Sequence, residues 1–224
     1  MKRALSAMLV LAALVGCGPM KNLDPLGGLG GADTSRYGFE SSTQGWTCAT
    51  ETGSSCFSVS AVQGRSLFGQ GCLAVDLFQM GNHYLGGSCG ASPTDNFGRI
   101  GIDLTASPVS LVGKTVSAWV YWPSAGQAST SAPSQAQIYL IDVGNFFGNG
   151  VPVNLKSDNW TQIKFSPIAW PSSNPLPNTQ GGIYVQPGFD PAMIKRVGIK
   201  IGASGAAPCT FAFTGTLLVD SVDW

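Results

Sequence analysis

The chain has 224 residues, only 11% of them charged, with 12 basic and 12 acidic side chains and a formal net charge of zero. No basic patch is visible, which argues against nucleic acid as a partner. Val, Ile and aromatic residues fall in short runs broken by 30 glycines and 14 prolines; the missing helical period excludes a helix bundle and favours a β-sandwich or barrel.

Lys2-Arg3 is followed by the apolar run Ala4–Val15 and by small Gly16 just before Cys17. A basic start, a short apolar stretch and a small residue at the cut make a secretory signal peptide over residues 1–16. A membrane-spanning helix needs about 20 apolar residues, so this run is too short to remain as an anchor. Leu14-Val15-Gly16-Cys17 resembles the lipobox of bacterial lipoproteins. The resemblance implies cleavage before Cys17 and lipid on that residue; two or more acyl chains anchor a protein stably. Gly18, where an aspartate would imply inner-membrane retention, implies the outer membrane. Residues 17–36 carry Gly27-Gly28-Leu29-Gly30-Gly31 and read as a flexible tether. Residues 37–224 read as one all-β, monomeric domain.

Expected strands follow in order: Tyr37–Glu40, Phe57–Val62, Cys72–Phe78, Tyr84–Ser88, Arg99–Leu104, Thr115–Trp122, Ala136–Asp142, Thr161–Phe165, Arg196–Ile201 and Leu217–Trp224. Short strands between Gly/Pro loops suggest a two-sheet antiparallel β-sandwich, a jelly roll. The long loop Pro167–Pro187 contains Trp170 and Tyr184. Export permits disulfides. Cys72 and Cys89 flank an expected hairpin with its turn near Met80-Gly81-Asn82, which would place them opposite one another. Cys48 and Cys56 bracket a turn-rich segment and could close it, leaving Cys209 odd. Sequence leaves the connectivity open.

Several segments resemble one family. Phe39-Glu40 with Gly45-Trp46, Gly71-Cys72-Leu73-Ala74-Val75, the stretch Gly113–Tyr121 ending in Ser117-Ala118-Trp119-Val120-Tyr121, Asn159-Trp160-Thr161-Gln162-Ile163 and Gly215–Val222 with Asp220 occur in the family's order. They look like the motifs of jelly-roll carbohydrate-binding modules with the galactose-binding-like fold, the type attached to cellulases and xylanases. The resemblance spans about residues 38–224 and implies a polysaccharide or glycan as partner. It also implies a structural calcium ion near the termini, with Asp220, Glu40 and the carbonyls of Gly38 and Gly69 as ligands. Calcium takes six to eight oxygens.

Strand alternation gives the candidate binding face. Val116, Ala118 and Val120 should turn inward and Trp119 and Tyr121 outward. The same logic exposes Gln137 and Tyr139 beside buried Ala136, Ile138 and Leu140, and Lys200 beside buried Val197, Ile199 and Ile201. If these strands share a sheet, Trp119, Tyr121, Gln137, Tyr139 and Lys200 form one sugar cleft on its concave side. The alternative is a second small core covered by the 167–187 loop, since large aromatics are usually buried. Trp46 and Trp160, at strand edges, read as structural.

Nothing points to catalysis. The single His83 sits beside the expected hairpin turn, and no zinc spacing, phosphate loop or nucleophile elbow occurs. Asp76, Asp103, Asp142 and Asp190 form no motif. Asp220 and Asp223 differ in strand parity, which sets them on opposite faces, whereas glycoside cleavage needs facing carboxylates. The expectation is a non-catalytic, lipid-anchored envelope protein that binds glycan. The alternative is a lipoprotein that uses the same fold to bind protein.

Overall fold

The computed structural model describes residues 33–49, 56–81, 97–124, 134–202 and 211–224. Cys17, His83, Cys89, Cys209 and the expected strand Tyr84–Ser88 lie outside the described residues. The strands are β1 (Trp46–Cys48), β2 (Cys56–Gln63), β3 (Gly71–Gly81), β4 (Gly98–Asp103), β5 (Val116–Trp122), β6 (Gln135–Asp142), β7 (Phe147–Asn149), β8 (Val153–Asn154), β9 (Asn159–Phe165), β10 (Tyr184–Val185), β11 (Ile194–Gly202) and β12 (Phe211–Asp223). They pair antiparallel throughout, in two sheets. A seven-stranded sheet runs β1-β4-β11-β6-β7-β10, with β8 on β6, and a five-stranded sheet runs β2-β3-β12-β5-β9. The chain therefore crosses repeatedly between layers, and its last two strands lie inside different sheets.

Alternation decides what fills the space between them. Val116, Ala118 and Val120 of β5 meet Ala136, Ile138 and Leu140 of β6 and Val197, Ile199 and Ile201 of β11 in one core, all fully buried. Each large aliphatic side chain taken out of water contributes about 1.5–3 kcal/mol. Trp46 is fully buried in this core. Trp160 packs in a smaller cluster on the outer face of the five-stranded sheet. Both tryptophans are structural.

Three expectations are corrected. The expected strand Tyr37–Glu40 is reduced to an isolated bridge between Tyr37 and Val222. Cys72 does not pair with Cys89: it is a free, buried thiol. Both sides of β3 are taken, by β2 with Val62 opposite Cys72, and by β12. No edge is left there for a hairpin partner. Burial, first, and the charge of Asp220 push the Cys72 thiol up to about 12. The Cys48–Cys56 disulfide does form, with the two Cα atoms 5.4 Å apart. Lastly, Asp220 and Asp223 do not face opposite ways. The β12 register shifts between them against β5, and Ser221 sits at φ 51°. This bulge inserts a residue and resets the alternation. Val219 and Val222 both reach the core, so Asp220 and Asp223 share the outer face, opposite Trp119 and Ser117.

Residues at the start of the described chain are docked rather than free. Ser221 Oγ donates to the Asp33 carboxylate at 2.9 Å, and the Arg36 guanidinium lies 4.7 Å from the ring centroid of Trp224.

Candidate functional site

The five expected sugar-binding residues separate onto two sheets. Trp119 and Tyr121 lie on β5 of the five-stranded sheet, whereas Gln137, Tyr139 and Lys200 lie on β6 and β11 of the seven-stranded one. Each group points outward, so the two groups lie on opposite sides of the sandwich. The single cleft does not form.

On the five-stranded sheet the outer face is a small second core. Tyr121, Cys72, Ala74 and Leu218 are buried together, with Val62 and Trp160 packed against them. The Tyr121 and Trp160 rings lie 5.6 Å apart. Burial raises the Tyr121 phenol, helped by the carboxylate of Asp158, to which its hydroxyl donates. The cover at the other end is the loop between β2 and β3. Its Phe68 meets Trp119 edge-on at 6.2 Å. The 167–187 loop is not the cover: it extends the seven-stranded sheet at β7, with Val185 in the core.

Two of the four expected calcium ligands, Asp220 and Glu40, hold that β2–β3 loop. Asp220 is fully buried, and its Oδ2 accepts the backbone N–H groups of Leu67 at 2.8 Å and Phe68 at 3.0 Å. Its Oδ1 accepts from Ser221. Glu40 Oε2 accepts from the N–H groups of Gln70 and Gly71. The Gly69 carbonyl accepts from Ser66 Oγ. Gly69 has φ +62°, and a Cβ there would lie 1.6 Å from Glu40 Oε1, so a side chain would be strained and would push the Glu40 carboxylate off the loop. At Gly38 the space for a side chain is filled by the Asp33 carboxylate. Burial, first, and nearby Asp33 raise the Asp220 carboxyl to about 7 against the pull of its three N–H donors. Backbone N–H donors hold both carboxylates in this arrangement, and a calcium ion would have to displace them. Chelator is expected to leave the thermal midpoint unmoved; a fall of several degrees would show a bound ion.

The outer face of the seven-stranded sheet is different. One row crosses six strands in register: Thr47, Gly101, Gly198, Tyr139, Asn149 and Tyr184. The two glycines leave a gap in the side-chain layer, and Tyr139 lies down into it. A Cβ on Gly198 would be 2.4 Å from Tyr139 ring carbons, and one on Gly101 would be 3.2 Å from its hydroxyl. Tyr139 is thus a floor, not an upright stacking platform, and only 3% of it is exposed. On one side runs the row Arg99, Lys200 and Gln137. On the other run Asp103, Arg196, Ile141 and Phe147. Arg196 and Asp103 form an ion pair at 3.5 Å. Above the floor is a cavity of about 220 Å³ lined by Arg99, Tyr139, Phe147, Asn149 and Lys200. Small-molecule sites usually measure roughly 300–1,000 Å³, so this one suits a single ring or side group.

Sequence reasoning brought Gln137, Tyr139 and Lys200 together but missed Arg99, Phe147 and Asn149. Arg99 was legible, because it begins an expected strand and shares the outward parity of Asp103. Phe147 and Asn149 belong to a three-residue strand, too short to show alternation.

The remaining carboxylates named in the sequence are spent on local structure. Asp142 accepts from the N–H groups of Phe146 and Asp190, and Asp76 from the hydroxyls of Ser58 and Thr216. Among the described residues, no three His, Cys, Asp or Glu side chains cluster to hold a metal.

No protein-family model and no curated protein matches the chain. Three solved carbohydrate-binding modules are similar to it. The CBM22-1 xylan-binding domain of Paenibacillus barcinonensis Xyn10C is 13% identical, over 83% of this chain and 88% of that one, with a TM-score of 0.42. A module specific for non-crystalline cellulose, CBM28, is 16% identical over 87% and 94%, also with a TM-score of 0.42. The C-terminal family 22 module of Clostridium thermocellum Xyn10B is 11% identical over 86% and 94%, again with a TM-score of 0.42. Similarity this low bears on neither ligand nor fold; the sandwich rests on the strand pairing above.

Proposed function

We propose that this chain is a non-catalytic, lipid-anchored protein of the bacterial envelope that holds a glycan on the outer face of its seven-stranded sheet. The observation that carries the reading is the cavity over Tyr139. It combines an aromatic ring at Phe147 for the apolar side of a pyranose with the amide of Asn149 and the donors of Arg99 and Lys200 for its oxygens. Anchoring rests on Lys2-Arg3, the run Ala4–Val15 and the lipobox-like Leu14–Cys17; Gly18 supports the outer membrane. Calcium is left out, because the carboxylates it would need already hold backbone N–H groups.

Affinity electrophoresis tests the face. The protein is expected to be retarded by at least one polysaccharide among xylan, mannan, β-glucan and acidic glycans. Asn149→Ala and Phe147→Ala should each weaken retardation by about tenfold, the scale of one lost polar or aromatic contact. Trp119→Ala, on the other sheet, should leave it intact. The reverse pattern, with Trp119 needed and Asn149 dispensable, would move the site to the five-stranded sheet.

A further inference from the structure

We infer that the glycan is acidic, with its negatively charged substituent seated against Lys200 and Arg99. The inference rests on the glycan-binding reading and narrows its substrate class. Lys200 and Arg99 face one another directly across β11 and β4. Facing residues in such a pair are about 4.5–5.5 Å apart at Cα. Both side chains line the cavity. They also share one aromatic neighbour: Lys200 Nζ is 3.7 Å and Arg99 Cζ 5.3 Å from the ring centroid of Phe97. A ring face attracts a cation but carries no counter-charge, so it leaves the repulsion between the two in place.

The rest of the environment also works against the charge on Lys200. Burial, first, and Arg99 lower it to about 8. Gln137, opposite on β6, is neutral and buried, and Phe147 and Asn149 carry no charge. Among the described residues, no carboxylate pairs with Lys200. The same face shows what relief looks like: four residues along β11, Arg196 sits opposite Asp103 and pairs with it. The equivalent place beside Lys200 opens into the cavity. A carboxylate or sulfate entering there would meet a cation already stripped of much of its water, together with the planar donors of Arg99. A neutral sugar would leave the buried Lys200 ammonium without a counter-charge beside it.

The test compares acidic with neutral glycans. The purified protein is titrated with polygalacturonate and alginate, which carry uronate carboxylates, with a carrageenan, which carries sulfate esters, and with mannan and β-glucan. Binding to at least one acidic polymer should exceed binding to the neutral ones tenfold or more and weaken with added salt. The carboxylate and sulfate arms identify which anion is taken. Lys200→Met and Arg99→Met should each lower acidic binding about tenfold to a hundredfold, the scale of one charge-assisted contact, and Lys200→Arg should retain most of it. Lys200→Met removes a desolvated charge, so its thermal midpoint should hold or rise, which separates lost binding from lost folding. Binding to neutral glycans that equals or exceeds acidic binding overturns the inference and leaves glycan binding standing. So does acidic binding indifferent to Lys200→Met. Binding to no glycan at all overturns both.

Discussion

Asp220→Ala should destabilise the domain by about 2–5 kcal/mol, the cost of stranding charge-assisted N–H bonds. The carboxylate is fully buried and accepts from Leu67, Phe68 and Ser221. Alanine strands those donors and releases the loop between β2 and β3. At roughly 2–4 °C per kcal/mol for a chain of this size, the thermal midpoint should drop by about 4–20 °C. Asp220→Asn should cost less. Its carbonyl oxygen can still accept from Leu67 and Phe68, but its amide then meets the Ser221 N–H donor to donor. Position-specific alkylation gives a second readout. Cys72 is a free thiol that lies beneath this face and is pushed up to about 12, so it should be inert in the native protein. In the alanine variant it should become reactive as the loop lifts. An unmoved midpoint with Cys72 still protected would mean that Phe68 against Trp119 holds the loop without the carboxylate.

The prediction ties the loop to the division of labour between the sheets. The five-stranded sheet spends its outer aromatics on stability, because the loop with Phe68, together with Trp160, covers them. The seven-stranded sheet keeps a gap open by placing glycine at two adjacent strand positions. The cavity over Tyr139 lies on the second face.

Which side of a strand faces the core was legible in the sequence; which sheet the strand joins was not. Val116, Ala118 and Val120 and their counterparts on β6 and β11 turn inward as alternation requires. Parity, however, is a local property, and sheet membership is set by long-range pairing. β5 is followed in sequence by β6 yet pairs with β9 and β12, while β6 pairs with β7, β8 and β11. That is why Trp119 and Tyr139, alike in pattern, end on opposite sides of the molecule. The bulge at Ser221 was hidden for a related reason: one inserted residue flips parity without changing composition. Strands β1, β7, β8 and β10 are two or three residues long and show no period. Asp220 and Glu40 were expected as calcium ligands; the partners the fold gives them are backbone N–H groups of the segment 67–71, which no side-chain pattern records.

Gly198→Val should remove both stability and binding, and the two losses have separable causes. Gly198 is buried in β11 with Gly101 on one side and Tyr139 on the other. A Cβ there would lie 2.4 Å from the Tyr139 ring and 2.6 Å from the Ile100 carbonyl oxygen. The first clash involves a side chain that can move. The second involves backbone of the neighbouring strand and can be relieved only by displacing β4 from β11. Overpacking of this kind costs about 1–3 kcal/mol, and more where backbone must shift. Gly198→Ala should lie at the lower end of that range and valine above it. Tyr139→Ala in the same chain should recover part of the loss, because it removes the ring but not the carbonyl. A double-mutant cycle should therefore show favourable coupling of about 0.5–3 kcal/mol between the two substitutions. Binding should follow a different rule. In Gly198→Ala the displaced ring rises into the cavity of about 220 Å³, so glycan affinity should fall by about tenfold or more while the protein remains folded. Strict additivity of the two substitutions, with glycan retained by Gly198→Ala, would mean that Tyr139 does not occupy the glycine gap in solution and that the cavity has another floor.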